Sequence, residues 1–229
     1  MQKVSIRQKK LKNKITENYY EVDNAIQLLK ETATAKFIET AELHVNLNID
    51  PKYADQQLRT TILLPNGTGK EKKIAVLVDE EIINTIDATL ADVIGNSDLI
   101  EEISKGNIDF DLLIATPEMM PKLAKLGRVL GPKGLMPSPK AGTVTTNITE
   151  TLQEFKKGKF EYKTDKTGIV HINFGKTNFT ELQLKENVQT LLASIVQNRP
   201  SGVKGKYFKS IYVCSTMGPS ISIDVAQFN

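Results

Sequence analysis

The sequence predicts an α/β protein in which one domain is inserted into another. Near both ends of the chain, apolar and polar residues alternate over short stretches, as in strands that bury one face. In the middle, short apolar runs alternate with charged, helix-like segments, as in buried parallel strands joined by helices. With 229 residues, 40% hydrophobic and 25% charged, the chain can bury a substantial core.

The terminal parts of the chain show the alternating pattern three times. Residues 41–49 predict a half-buried strand with His44 on its exposed face, and residues 170–174 and 221–225 repeat the alternation. Segment 178–181 predicts a capping box, which is followed by apolar residues at helical spacing: Leu184, Val188, Leu191 and Ile195. Helix-breaking residues at 198–202 predict where this helix ends.

The middle of the chain predicts a parallel sheet. Strands are expected at 73–78, 93–94 and 110–115, with helices beginning at Ser97 and Pro117. Turn-forming residues at 65–69 and Gly158 predict hinges at the two ends of this insertion.

Residues 125–140, KLGRVLGPKGLMPSPK, predict a stiff basic loop. The spacing does not fit a nucleotide-phosphate loop, because Pro132 lies five places after Gly127 and Lys133 is followed by Gly134. It does not fit the dinucleotide fingerprint either, since Gly127 and Gly131 lie too far apart for its tight first turn. From 122 to 140 the charged residues are all basic: Lys122, Lys125, Arg128, Lys133 and Lys140.

The charge distribution is more informative than the net charge of +3. Basic clusters at 3–14, 122–140, 156–166 and 199–209 are separated by an acidic block at 79–111. Such a pattern suits a protein that presents one face to a polyanion, although a charge run can also be a solvated face.

The single cysteine, Cys214, excludes a disulfide framework and a cysteine-based metal site, and indicates a reducing compartment. Its strand-like surroundings predict a small buried thiol. No apolar run reaches the length of a membrane span, and the basic N-terminal segment lacks the apolar core of a signal peptide. We interpret that segment as part of the mature protein and expect no cofactor.

Several segments resemble the L-one family of large-subunit ribosomal proteins, whose members form the mobile stalk beside the site where deacylated tRNA leaves. They are residues 125–144, KLGRVLGPKGLMPSPKAGTV, together with 202–206 and the STMGPS of 215–220. Similar matches at 22–40, 47–70 and 163–171 extend the resemblance over nearly the whole chain. The pattern is closer to the bacterial or plastid type than to the archaeal type.

The resemblance implies a fold, a function and a set of partners. The fold is a discontinuous α+β RNA-binding domain, 1–66 and 159–229, with an inserted Rossmann-like three-layer α/β domain at 67–158. The function is that of a non-enzymatic ribosomal constituent that binds large-subunit ribosomal RNA and assists release of exit-site tRNA, with possible repression of its own messenger RNA. The protein is expected to be monomeric when free, without a membrane partner, and to act in the ribosome of a bacterial cytoplasm or plastid stroma.

The resemblance also implies an RNA-binding strip of 16 residues: Lys36, Phe37, Glu39, Thr40, Glu42, His44, Asp165, Lys166, Thr167, Gly168, His171, Ser210, Ser215, Thr216, Met217 and Gly218. Threonine hydroxyls can donate to and accept from a 2′-hydroxyl, and lysines can meet phosphates. Phe37 and Met217 could pack on a base or sugar, while Gly168 and Gly218 would let the backbone approach a ribose. Cys214 and Ser215 replace the family's usual threonines, which puts a contact at 214 in doubt.

Each assignment has an ordinary structural alternative. Phe37 could belong to the core, the two glycines could be plain turn residues, and His44 and His171 could be solvated strand residues. The resemblance favours RNA contact for Phe37, Thr216, Met217 and Gly218, but not for the histidines.

Two further alternatives stay open. The basic loop either contacts ribosomal RNA or tRNA, or braces the two domains. An α/β enzyme that binds a nucleotide or small anion in the insertion is the competing function, although that region has no histidine, cysteine or phosphate fingerprint.

Overall fold

The computed structural model describes residues 5–53, 55–79, 91–203 and 205–228, so the part of the acidic block that spans 80–90 lies outside the described residues. Within it, nine strands run in chain order: β1 Thr40–Leu47, β2 Arg59–Leu63, β3 Ile74–Leu77, β4 Val93–Gly95, β5 Leu112–Ala115, β6 Lys159–Lys163, β7 Ile169–Lys176, β8 Phe208–Ser215 and β9 Ile221–Ile223. The α-helices there are α1 Ile6–Lys12, α2 Val22–Thr32, α3 Ser97–Ser104, α4 Met120–Ala124, α5 Gly127–Lys133, α6 Ile148–Lys156 and α7 Glu181–Gln197.

The chain separates into two compact units. Unit 1 comprises Met1–Gly69 and Glu161–Asn229, and unit 2 comprises Lys70–Phe160. Unit 1 is therefore built from both ends of the chain, and unit 2 is one continuous segment.

The main sheet of unit 1 is antiparallel, with the strand order β7-β1-β8-β9. In β1 every second side chain, from Ala41 to Leu47, is fully buried, as the alternation predicted. Helix α2 lies against β8, β9 and α7, and α7 lies against β7. One face of the sheet is thus covered by helices, and the other face carries the polar residues.

Helix α7 confirms the expectation of a long helix in this region. Its N-cap is Thr180, whose hydroxyl accepts the Gln183 N–H at 3.3 Å, while the Gln183 side chain accepts the Thr180 N–H at 3.0 Å. The capping box therefore lies at 180–183 rather than at 178–181. The four apolar residues predicted to face the core are all fully buried: Leu184, Val188, Leu191 and Ile195.

Asn187 on α7 is a buried polar residue whose side chain binds the segment at the end of the first part of unit 1. Its side chain donates to the carbonyls of Gly67 at 3.0 Å and Phe174 at 2.8 Å, and accepts the N–H of Asn66 at 3.2 Å. Because the residue is completely buried and its partners are backbone groups, it fixes the path of 66–67.

Unit 2 contains a parallel sheet with the strand order β4-β3-β5, in agreement with the predicted strands. Alternate residues of β3 enter two separate apolar clusters. Ala75 and Leu77 pack with residues of α3, α4 and α5, whereas Ile74 and Val76 pack with residues of α6. Helices therefore cover both faces of the sheet, which makes unit 2 a three-layer α/β structure.

The expectation that 125–140 is a loop is wrong over much of its length. Residues 127–133 form helix α5, with Pro132 in its last turn and Gly134 in the left-handed conformation at its end. The Leu135 N–H donates to the Leu130 carbonyl at 3.1 Å, and the Gly134 N–H to the Gly131 carbonyl at 3.0 Å. These bonds form a Schellman motif, so the glycine ends a helix instead of opening a loop.

Candidate nucleic-acid interface

The predicted strip extends along the open face of the main sheet, from one end to the other. His44 on β1 lies opposite His171 on β7 and Tyr212 on β8, and Glu42 lies opposite Cys214. One end of the sheet carries residues 36–40 and 215–218, which we call the Met217 end. The opposite end carries residues 165–168, which we call the Asp165 turn. Because β1 has eight residues, the two ends are separated by about 25 Å.

The Met217 end exposes three large apolar side chains. Phe37 is 55% exposed, Ile38 58% and Met217 48%. The structure thus excludes the alternative that Phe37 belongs to the core. Ile38 was absent from the predicted strip, and its only sequence signal was an apolar residue next to Phe37 in a segment rich in polar residues.

Glu39 is the buried anchor of the Met217 end. It is 1% exposed, and its carboxylate accepts the N–H of Ala35 at 2.9 Å, the N–H of Met217 at 2.8 Å and the Ser215 hydroxyl at 2.8 Å. Burial alone would raise the pKa of Glu39, but these three donors and the charge of Arg7 hold it below its usual range. The expectation of a direct RNA contact at Glu39 disagrees with this burial, and the residue instead ties 35–39 to 215–217.

Gly218 packs closely against Ser215 beside the Glu39 carboxylate, an arrangement that we call the interlock. A Cβ on Gly218 would lie 2.4 Å from the Ser215 hydroxyl oxygen, and Ser215 is itself only 2% exposed. Glycine is needed here to leave room for a hydroxyl of the same turn, rather than for the ribose that the sequence analysis expected. A direct RNA contact by the Ser215 side chain disagrees with its burial in the same way.

Two threonines join β1 to the turn after β8. The Thr216 hydroxyl accepts the Thr40 N–H at 3.0 Å, and the Thr216 N–H donates to the Thr40 carbonyl at 3.1 Å. The Thr40 hydroxyl accepts from the ammonium of Lys176 at 2.7 Å. Both hydroxyls therefore have protein partners, and Lys176 adds a cation that the sequence analysis did not identify.

Helix α1 brings a further cation to the Met217 end. The guanidinium of Arg7 donates to the Met217 carbonyl at 2.7 Å, over a sequence separation of 210 residues. Four more basic residues follow along or just after this helix: Lys9, Lys10, Lys12 and Lys14. The sequence showed this basic run without showing where it lies.

The Asp165 turn is held by one carboxylate over a short stretch of chain. Asp165 accepts the N–H groups of Thr167 and Ile169, each at 2.8 Å, and the Thr167 hydroxyl at 2.7 Å. Burial alone would raise the pKa of Asp165, but these donors and His171 lower it to about 2.

Gly168 is required by the fold of this turn. It is buried and adopts φ +82°, and a Cβ there would lie 3.2 Å from the Ile49 side chain. The expected close approach of Gly168 to a ribose disagrees with this packing. Lys166 and Thr167 are the exposed residues of the turn.

Between the two ends, the open face carries a chain of polar contacts. The Nδ1 atoms of His44 and His171 are 2.8 Å apart, the Cys214 sulfur is 3.3 Å from His44 Nε2, and a Glu42 oxygen is 3.6 Å from the same nitrogen. Burial and His171 lower the pKa of His44 despite the opposite effect of Glu42, and burial with Glu42 raises the pKa of Cys214 to about 11. Both histidines have side-chain partners, but only His44 is half-buried, and His171 is exposed as a solvated strand residue would be. The Cys214 thiol is half-buried rather than fully buried.

The remaining predicted residues occupy different settings. Lys36 is exposed, and Ser210 is half-buried on β8 opposite Asn46. The five basic residues at 122–140 belong to unit 2 and are all exposed: Lys122, Lys125, Arg128, Lys133 and Lys140. Lys122 lies 4.0 Å from Asp79, and among the described residues the other four have no carboxylate within ion-pair distance.

No helix in the described ranges is both long and apolar enough to cross a membrane.

Comparison with known proteins identifies the family. Residues 29–219 match the ribosomal protein L1p/L10e family. The large ribosomal subunit protein uL1c of Trieres chinensis is 65% identical over 229 residues, and that of Phaeodactylum tricornutum is 65% identical over 232 residues, with both chains fully covered in each case. The large ribosomal subunit protein uL1 of Synechococcus sp. (strain WH7803) is 58% identical over 226 residues, which cover 99% of this chain and 96% of that protein. The chain therefore belongs to the ribosomal protein L1p/L10e family, as a structural ribosomal protein of the plastid or bacterial type and not an enzyme.

Proposed function

We propose that this chain binds large-subunit ribosomal RNA through the Met217 end of unit 1 and the open face of its main sheet. The observation that carries the proposal is the exposure of Phe37, Ile38 and Met217 on segments that a buried carboxylate holds in place. Family membership supports a ribosomal role for the chain, and these side chains supply a surface suited to it.

The apolar side chains suit contact with unpaired bases or ribose faces. Base stacking on an aromatic side chain such as Phe37 contributes about 1–3 kcal/mol per base and tolerates different sequences. Ile38 and Met217 add apolar packing against a base or sugar. Since Glu39 fixes both segments before binding, little conformational freedom is lost when RNA docks.

Cations flank this apolar surface. Lys36 is exposed beside Phe37, and Arg7 lies against the Met217 backbone. Such groups neutralise phosphates and fix the register of the protein on the RNA without reading its sequence.

The open face and the Asp165 turn extend the contact. Glu42 can accept a hydrogen bond from a 2′-hydroxyl, which DNA lacks, and Thr167 and Lys166 are exposed at the far end. An RNA that reached both ends would span about 25 Å, the length of β1.

The proposal includes three finer roles. Unit 1 would serve as the RNA-binding domain and unit 2 as the inserted domain, whose exposed cations from Lys122 to Lys140 give a secondary contact to ribosomal RNA or exit-site tRNA. By these contacts the protein would assist release of deacylated tRNA. A messenger that mimics the ribosomal site would compete for unit 1, which would allow the protein to repress its own translation.

The test is binding of the purified chain to a large-subunit ribosomal RNA stalk fragment across a salt series. We expect Phe37→Ala to weaken binding roughly tenfold or more, because it removes a stacking surface. Met217→Ala should weaken binding less, because it removes apolar packing only. Leu182→Ala is the matched control, since Leu182 is 73% exposed on α7 and should leave affinity unchanged.

Wild-type affinity in both variants, combined with a steep salt dependence, would contradict the proposal. That result would point to a diffuse phosphate contact, and a charge-neutral variant of Lys125, Arg128 and Lys133 would then locate it. Competition by exit-site tRNA and by the chain's own messenger leader would test the finer roles separately.

A further inference from the structure

Three side chains from two neighbouring strands converge on the open face of the main sheet. Glu42 and His44 project from β1, and Cys214 lies opposite Glu42 on β8. One ligand atom from each residue lies within 4.8 Å of the other two. The group offers a carboxylate, an imidazole and a thiol, which together suit a borderline-soft divalent ion.

We propose that Glu42, His44 and Cys214 form a Zn²⁺ site on the open face of unit 1. From the sequence, a single cysteine argued against a cysteine-based metal site. Its two partner ligands could not be recognised there, because they lie on β1, and His44 is 170 residues away along the chain. The pairing of β1 with β8 brings the donor set together. The site shares Glu42 with the surface proposed for RNA, and the inference concerns the chain free of RNA.

The two distances from His44 Nε2 match those between ligands of a tetrahedral ion, and the Glu42 and Cys214 ligand atoms lie within 4.8 Å of each other. In a tetrahedral site, bonds of about 2.0–2.3 Å place neighbouring zinc ligands about 3.3–3.8 Å apart. His44 Nε2 lies 3.3 Å from the Cys214 sulfur and 3.6 Å from a Glu42 oxygen. Zn²⁺ would therefore replace the proton shared between sulfur and imidazole, which leaves for solvent, and water would take the fourth position.

His171 and Asp165 orient the His44 imidazole from the side of its non-ligating nitrogen, Nδ1. If His44 Nδ1–H donates to His171 Nδ1, 2.8 Å away, then His44 Nε2 carries the lone pair that a metal needs. His171 Nε2 in turn lies 3.6 Å from Asp165. This chain from carboxylate to histidine to ligand is the support that zinc-binding histidines commonly have.

The site is accessible without being fully exposed. The side chains of His44 and Glu42 are 28% and 30% exposed, and Cys214 is half-buried. An ion could enter from solvent while the strands hold its ligands, since all three residues lie on paired strands rather than on a loop.

The test uses Co²⁺ as a spectroscopic probe for Zn²⁺ in the reduced, full-length protein. We expect a thiolate-to-cobalt charge-transfer band that saturates at one ion per chain and disappears when Zn²⁺ is added. Cys214→Ser should abolish the band, and His44→Gln should raise the Kd at least tenfold. Ser222→Ala, on the same face of the sheet, is the matched control and should bind as the wild type does.

His171→Asn separates orientation from ligation. It should keep the thiolate band, because the ligand set is intact, and weaken binding about 10- to 100-fold. Absence of the band in wild type, or equal affinity in Cys214→Ser, would overturn the proposal, because the Cys214 thiolate would then not be a ligand.

Discussion

The two ends of the main sheet are each organised by one carboxylate, yet they differ in how far along the chain that carboxylate reaches. At the Asp165 turn, the acceptor and its donors lie within four residues. At the Met217 end, Glu39 joins its own segment to partners 176 and 178 residues away. In both cases hydrogen bonds outweigh burial and lower the pKa of the carboxyl group.

This difference indicates that substitution of Glu39, the buried carboxylate with long-range partners, destabilises the protein more than substitution of Asp165. Loss of Asp165 would loosen a turn whose two strands are still paired to the sheet. Loss of Glu39 would leave the buried Ser215 hydroxyl and the part-buried N–H groups of Ala35 and Met217 without a partner, which is more costly than the loss of an exposed hydrogen bond. Four substitutions test this comparison, from the largest expected effect to the smallest.

Glu39→Gln should have the largest effect. The amide would place N–H donors where Ser215 and Met217 now donate, so we expect the free energy of unfolding to fall by about 2–3 kcal/mol. Urea denaturation measures the loss. Glu31→Gln, at an exposed position on α2, is the control, and equal losses in the two variants would remove the distinction between anchor and surface.

Gly218→Ala should have the next largest effect. The added methyl would displace the Ser215 hydroxyl from Glu39, at a cost of about 1–2 kcal/mol measured by the same denaturation. In a Ser215→Ala background the clash is relieved, so adding Gly218→Ala should cost little more. Full additivity of the two substitutions would show that the interlock does not exist.

Asp165→Asn should cost about 1 kcal/mol at neutral pH. The Asp165 side chain is 37% exposed, so solvent reduces the stabilisation that a pKa of about 2 would otherwise imply. Since the folded pKa is depressed, the stabilisation is complete above about pH 4 and is lost as the pH falls through 2. The melting temperatures of the wild type and of Asp165→Asn should therefore converge near pH 2. A difference between them that does not change with pH would contradict an origin in the Asp165 carboxylate.

Arg7→Gln should have the smallest effect on stability. Arg7 is half-buried and its guanidinium makes one exposed hydrogen bond to the Met217 carbonyl, so we expect a loss below about 1 kcal/mol. The effect of Arg7→Gln should appear instead in RNA binding. The dependence of the binding constant on salt concentration should become weaker, by about the amount that one phosphate contact contributes. Lys10→Gln, on the same helix, tests whether the position of Arg7 matters or only its charge.

Much of the fold followed from local sequence patterns. Alternation placed β1, and helical spacing placed α7, because a buried face imposes its period on nearby residues. The expectation of a loop at 127–133 was wrong because its two glycines and Pro132 are usually helix breakers. The helical signal was present in Leu123, Leu126 and Leu130, which are buried together against the sheet of unit 2.

Local sequence patterns predicted less of the candidate site than of the fold. The Asp165 turn could be recognised locally, whereas the Met217 end exists only because β1 pairs with β8. The family resemblance supplied the residues of that end, but it could not show that Glu39 faces inward. The cluster of Glu42, His44 and Cys214 has the same long-range origin.

The position of β1 between β7 and β8 also affects how the chain is made. His44 meets its partners on these strands 127 and 170 residues later in the sequence. At a synthesis rate of about 5–20 residues per second, β1 leaves the ribosome roughly 6–25 s before β7 can join it. During that interval its apolar side and both backbone edges are open to pairing with other nascent chains. Glu42, His44 and Asn46, which form the open face of the finished sheet, interrupt the apolar run and reduce that risk of aggregation.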